Sequence, residues 1–249
     1  MGISQGKRSH SILEIKNLKK YYSNKVVLTG VDFVAHSGKI TGLLGPNGSG
    51  KTTCFNVMTG ILAPDSGNII LDGKDITCIP IHKRITAGMS YLPQESSVFK
   101  GLSVEDNIII ALEIMKVPGK RIPEILQKTL NSFGIYDIRK QPVTKISGGQ
   151  RRRVEIARSV IGNPKFLLLD EPFVGVDPLV MEDIRKILIN LRNTGMGIVI
   201  TDHNVWEVLQ IVDHASILFE GKIVISGSVQ DVINNDFARK VYLGERFFS

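Results

Sequence analysis

Apolar and polar positions alternate over residues 12–16, a largely apolar run at 39–44 ends in glycine, and another at 68–71 leads into the turn Asp72-Gly73. Each has the length and boundaries of a strand. Further short apolar runs at 89–92, 166–169 and 197–201 are separated by helical spacing, the βαβ alternation that builds a parallel sheet. Residues 216–219 and 222–225 flank Glu220-Gly221 and predict a hairpin. Between 103 and 158 the period changes. VEDNIIIALEIM, PEILQKTLNSFGI and GQRRRVEIARSVI carry apolar positions at helical intervals with no strand-like run among them. Pro118-Gly119 reads as a helix break. The pattern predicts an α/β fold: a polar, loose tail at 1–11, then one domain over 12–249. Its α/β core comprises 12–102 and 159–249, with a helical subdomain inserted at 103–158.

A chain of 249 residues, 43% hydrophobic and 22% charged, has ordinary globular composition and can bury a sizeable core. Its formal charge of +7 admits nucleic acid, a membrane surface or a small polyanion as a partner, and equally a well-solvated basic surface. Cys54 and Cys78 show neither disulfide-framework nor zinc spacing, which predicts a reducing, cytoplasmic setting. The first residues lack the apolar centre of a secretory signal, and no run approaches the roughly 18 apolar residues of a spanning helix. A role at a membrane would then run through another polypeptide.

The charge acquires a definite use at GPNGSGKTT. Gly45, Pro46, Asn47, Gly48, Ser49, Gly50, Lys51, Thr52 and Thr53 fit the phosphate-loop spacing, after a predicted strand and before the helical pattern FNVMTGIL. Glycine lets the backbone turn tightly with its N–H groups aimed at phosphate oxygens. Lys51 can reach the β and γ phosphates, and Thr52 can ligate Mg²⁺. The helix dipole adds only about 0.3–1 kcal/mol, so lysine and metal must carry much of the neutralisation. Cys54 reads as a small helix residue, not a nucleophile.

FLLLDE is an apolar strand ending in two acids at the rim where parallel sheets bind ligands. Strand neighbours point to opposite faces, so Asp170 and Glu171 are expected to do different jobs. Asp170 suits Mg²⁺ or its water, and Glu171 suits orienting and deprotonating the attacking water. His203, beyond the strand ending in ITD, and Gln94, after MSYLP, fall at the same rim. His203 could hydrogen-bond the γ-phosphate or the water, and the Gln94 amide could reach Mg²⁺ or water.

SGGQ offers a second anion-binding helix start. Ser147, Gly148, Gly149 and Gln150 supply backbone N–H groups and a hydroxyl, but no lysine and no metal-binding acid accompany them. It is half of a site, or an ordinary cap with Ser147 at the N-cap. Arg151 to Arg153 fan round the helix at about 100° each, so they form no single basic stripe and are expected to be solvated or to meet local carboxylates.

The order GPNGSGKTT, Gln94, SGGQ, FLLLDEP, Asp177 in GVDP and His203 resembles that of the ATP-binding cassette (ABC) ATPases over essentially the whole chain. The resemblance implies a P-loop core with an N-terminal antiparallel β portion, ATP and Mg²⁺ as cofactors, and Tyr22 stacking on adenine, with Tyr21 second in line. It implies Glu171 as catalytic base, His203 as switch histidine, and Gln94 linking Mg²⁺ to the transport partner. It also implies that Ser147 to Gln150 face ATP held by a second copy, with Asp177 at the junction of the homodimer, and that no nucleic acid is bound. Ile146 stands where leucine is commoner in the family.

SYLPQESSVF, DEPFVGVDP and KVYLGERF are similar to the ATPase subunits of lipopolysaccharide export transporters of Gram-negative bacteria. That similarity implies two integral membrane partners and a place on the cytoplasmic face of the inner membrane. Their helices would lie in a groove at Ser97, Val98 and Phe99. Lys100-Gly101 departs from the basic pair expected there. An ATPase of a branched-chain amino acid importer or a soluble ABC ATPase of cofactor assembly are the competing readings.

Overall fold

The computed structural model describes residues 10–23 and 25–243. The tail at 1–9 and the GERF end of KVYLGERF lie outside the described residues. Ser11, expected in the tail, is buried, and its backbone N–H donates to Ser37 Oγ at 2.9 Å.

The first layer is an antiparallel sheet in the order β2-β1-β4-β5: β1 (Ile12–Tyr22), β2 (Lys25–His36), β4 (Ser66–Leu71) and β5 (Lys74–Asp75). The second is a six-stranded sheet in the order β10-β9-β3-β8-β7-β6. It comprises β3 (Ile40–Leu44), β6 (Met89–Leu92), β7 (Phe166–Asp170), β8 (Gly197–Thr201), β9 (His214–Phe219) and β10 (Lys222–Gly227). β9, β3, β8, β7 and β6 are parallel, and β10 returns antiparallel on β9. All five parallel strands therefore end at one rim. The chain leaves β3 there for the phosphate loop, β6 for Gln94, β7 for Asp170 and Glu171, and β8 for His203.

Both faces of this sheet are covered, which is why its strands read as apolar runs. Phe166 and Leu168 enter a cluster with Cys54, Phe55 and Met58 of α1 (Lys51–Thr59) and with Leu13 and Ile15 of β1. Leu167 and Leu169 enter the opposite cluster, shared with seven helices. These are α3 (Val104–Ile114), α4 (Ile122–Ser132), α5 (Gly148–Ser159), α6 (Pro178–Asn193), α7 (Val205–Leu209) and the short α8 (Val229–Asn234) and α9 (Asp236–Ala238). A π-turn follows at Arg239–Leu243.

Among the elements with no counterpart in the pattern reading are β2 and α2 (Ile81–Ala87). α2 lacks an apolar stripe, and its buried residue is Arg84. The helix begun at the phosphate loop also stops earlier than FNVMTGIL suggests, because Gly60 takes φ 81° at its C-cap.

Candidate functional site

The phosphate loop is fixed by backbone packing. A Cβ on Gly45 would meet the Leu218 carbonyl oxygen at 2.1 Å, so only glycine fits. Gly221 N donates to Ser49 O at 3.2 Å, tying the β9–β10 turn to the loop. The Lys51 ammonium donates to Gly45 O at 2.8 Å and Pro46 O at 3.0 Å. Burial lowers its pKa, against the opposing charges of Glu171, Asp170 and Asp202. Ser49 Oγ is buried without a hydrogen-bond partner among the described residues, an orphaned hydroxyl within the phosphate loop. A cleft of about 430 Å³ runs along the loop, lined by Lys51, Thr52, Thr53 and Glu171 and, on the far side, by residues 25–27, Glu220 and Gly221.

Asp170 is the last residue of β7, and the Tyr91 hydroxyl lies 3.4 Å from its Oδ2. Burial, with the neighbouring charge of Glu171, raises its pKa to about 6. The expected opposition of strand neighbours ends here, because Glu171 has φ 48°. That left-handed turn breaks the alternation and leaves Glu171 lining the same cleft as Lys51. Such a conformation costs a non-glycine residue roughly 1–3 kcal/mol and is found where function requires it. Gln94 Nε2 donates to Glu171 Oε2 at 2.7 Å, and His203 Nδ1 lies 3.5 Å from that oxygen and 3.5 Å from Asp202 Oδ1. Asp202 is buried and accepts from the backbone N–H groups of Phe173 at 3.0 Å and Asn204 at 2.9 Å, which fixes the turn presenting His203. Burial raises its pKa, against those two bonds.

Ser147 caps α5. Its Oγ accepts from Gln150 N at 3.2 Å while Gln150 Oε1 accepts from Ser147 N at 3.0 Å, a capping box. The two glycines behind it differ. A Cβ on Gly149 would meet Val180 Cγ1 at 2.2 Å, so intramolecular packing against α6 explains it, whereas a Cβ on Gly148 would meet nothing within 4 Å. Asp177 caps α6, its Oδ1 accepting from Val180 N at 3.1 Å.

Tyr22 is exposed at the end of β1, with Lys20 Nζ 6.0 Å from its ring centroid, and residues 25–27 of the next strand line the cleft. One sequence expectation needs correction. Val98 is buried and packs inward, while Ser97 and Phe99 remain open. Arg152 meets a local carboxylate, as expected, by pairing with Glu155; beyond that expectation it is buried and donates to four backbone carbonyls. Arg152 and Glu155 sit three apart among the buried Val154, Ile156 and Ala157, and charges at apolar spacing were the available signal. Cys54 packs in the core as expected, its thiol pushed up to about 12 by burial.

The profile of the ABC transporter family matches residues 28–174. The chain is 47% identical to the lipopolysaccharide export system ATP-binding protein LptB of Haemophilus influenzae, over 95% of this chain and 99% of that protein. It is 44% identical to the protein of the same name from Escherichia coli, over 94% and 98%. An ATP-binding cassette of an ABC transporter solved in its ADP conformation superposes with a TM-score of 0.84 at 29% identity, covering 94% of this chain and 99% of that one.

Proposed function

Because the chain belongs to the ABC transporter family and is an ATP-hydrolysing enzyme of it, we propose that it powers lipopolysaccharide export through two membrane partners, as a pair of copies sandwiching ATP. What carries the hydrolytic reading is the single carboxylate of Glu171, touched by Gln94 and approached by His203, in the cleft that also holds Lys51. The phosphate chain would lie along residues 45–53, where loop N–H groups can donate to its oxygens and Lys51 would exchange two loop carbonyls for β and γ oxygens. Glu171 takes the proton of the attacking water, Gln94 holds that carboxylate in place, and His203 supplies a hydrogen bond at the γ-phosphate.

The side chains also fit Mg²⁺. Thr52, Asp170 and Gln94 bring a hydroxyl, a carboxylate and an amide oxygen, the hard donors this ion selects. The charge of Glu171 helps push Asp170 up to about 6, and a cation beside the pair relieves that repulsion. When bound, the ion neutralises the developing phosphate charge.

The exposed Ser147 and Gly148 lack a lysine of their own, and the open space at Gly148 suits close approach of an anion held by a second copy, with Asp177 at the junction. Such mutual completion closes only under two-fold symmetry. Among the described residues no helix is long and apolar enough to cross a membrane, so attachment to the inner membrane's cytoplasmic face runs through the partners at Ser97 and Phe99. Residues 12–249 act as one domain, with 103–158 as its helical part.

Glu171→Gln tests this reading. It is expected to bind Mg-ATP, lose roughly 10²-fold or more in turnover, and double its mass by light scattering when ATP is added. Near-normal hydrolysis removes Glu171 from the base role. A mass that stays at one chain removes the sandwich.

A further inference from the structure

Two buried charged side chains on α5 have no part in the chemistry described so far. Glu155 accepts from Ser96 Oγ at 2.6 Å and Ser97 N at 3.1 Å, and its other oxygen meets Arg152 Nη1 at 2.9 Å. Arg152 Nη1 also donates to Pro93 O at 3.2 Å. Its remaining nitrogens turn to the end of β7: Nε to Pro172 O at 3.3 Å, and Nη2 to Asp170 O and Glu171 O at 3.4 Å each. The segment carrying Gln94 is thus tacked to α5 on both sides, at 93 and at 96–97, by the same ion pair that grips the backbone from which Glu171 projects. Gln94 itself reaches Glu171 Oε2 at 2.7 Å.

We propose that Glu155 is a positioning residue for hydrolysis, holding Ser96 and Ser97 while aiming Arg152 at the 170–172 carbonyls, so that the Gln94 segment, Glu171 and the Ser147 helix keep one mutual geometry. The inference deepens the reading of Glu171 as base and rests on it. A displacement of residues 96–99 by a membrane partner is carried to the Glu171 carboxylate through this pair.

Steady-state kinetics with Mg-ATP and separate binding of a fluorescent ATP analogue test it, with thermal unfolding measured alongside. Ser96→Ala removes one bond from an exposed residue, and Glu155→Gln keeps an acceptor for Ser96 and Ser97 while removing the charge that orients Arg152. Turnover is expected to fall about threefold in the first and about tenfold in the second, with KM within about twofold. The double variant is expected to lose less than the product of the single losses, because both act through one contact. Unchanged turnover in both single variants, a loss carried by KM, or a fully multiplicative double variant overturns the proposal, and Ser96→Ala keeps it refutable should Glu155→Gln fail to fold. Glu171→Gln separates the two readings. If it stays active while Ser96→Ala is slowed, the base assignment fails; if it is inactive while Ser96→Ala and Glu155→Gln turn over normally, the positioning role alone fails.

Discussion

Replacing Arg84 by methionine should weaken the fold by an amount the structure allows to be worked out. Arg84 is 1% exposed, and among the described residues no carboxylate pairs with its guanidinium. Its Nη1 donates to Val57 O at 2.8 Å and Met58 O at 2.6 Å, Nε to Ile79 O at 2.7 Å, and Nη2 to Thr77 O at 2.7 Å. Burial pulls its pKa down to about 10, against the charge of Asp75. Two of the four acceptors belong to the last turn of α1, so the cation also meets the negative end of the helix whose other end forms the phosphate loop. Methionine keeps much of the length and none of the donors. Val57 O retains Gly60 N at 3.2 Å, which leaves the carbonyls of Met58, Thr77 and Ile79 without this donor. At about 1 kcal/mol for each buried acceptor, the lower end of the usual range because guanidinium desolvation is recovered, the loss is roughly 3 kcal/mol. Urea unfolding of the nucleotide-free chain should show a midpoint lower by about 1–2 M at an m-value near 2 kcal/mol/M. A loss under about 1 kcal/mol would refute the claim that these carbonyls depend on Arg84.

The two signature glycines should separate stability from association. Gly149→Ala, driven into Val180, is expected to cost about 1–3 kcal/mol in urea unfolding, whereas Gly148→Ala should leave that curve unchanged and weaken ATP-dependent pairing of Glu171→Gln chains. Equal effects of both would count against a second copy at Gly148. Phe99→Ala, removing an exposed ring 4.7 Å from the Arg158 guanidinium, should cost at most about 1 kcal/mol of stability yet release membrane subunits on co-purification; an intact complex would exclude Phe99 from the contact. Asp170, raised from 3.8 to about 6, contributes stability that is fully present below 3.8 and fades as pH climbs through 6, worth at most about 3 kcal/mol. In nucleotide-free and metal-free protein, Asp170→Asn should remove that decline from the urea midpoint between pH 4 and 7, and an identical pH profile would contradict it.

The rim was legible because each of its parts is announced by a strand-to-loop change: β3 runs into Gly45, β7 into Asp170, β8 into His203. Five parallel strands then bring those loops together without further information. What was not legible depends on tertiary contact. The left-handed turn at Glu171 has no glycine to announce it. Arg152 reads as one of three basic residues on a polar helix until β7 and the Gln94 segment close over it. Arg84 likewise looks like a surface charge in IHKRITA. The difference between Gly148 and Gly149 appears only when Val180 is in place.

The φ of 48° at Glu171 also governs which silenced forms of this enzyme can serve as traps. An amide side chain accepts that dihedral about as readily as the acid, and asparagine is at home there. Valine or isoleucine would have to bend the chain back toward an extended path, dragging Pro172 and Phe173 away from Arg152 and Asp202. A variant silenced in that way would lose the shape of its reaction rim together with its proton acceptor, and whatever it captured would misrepresent the working protein.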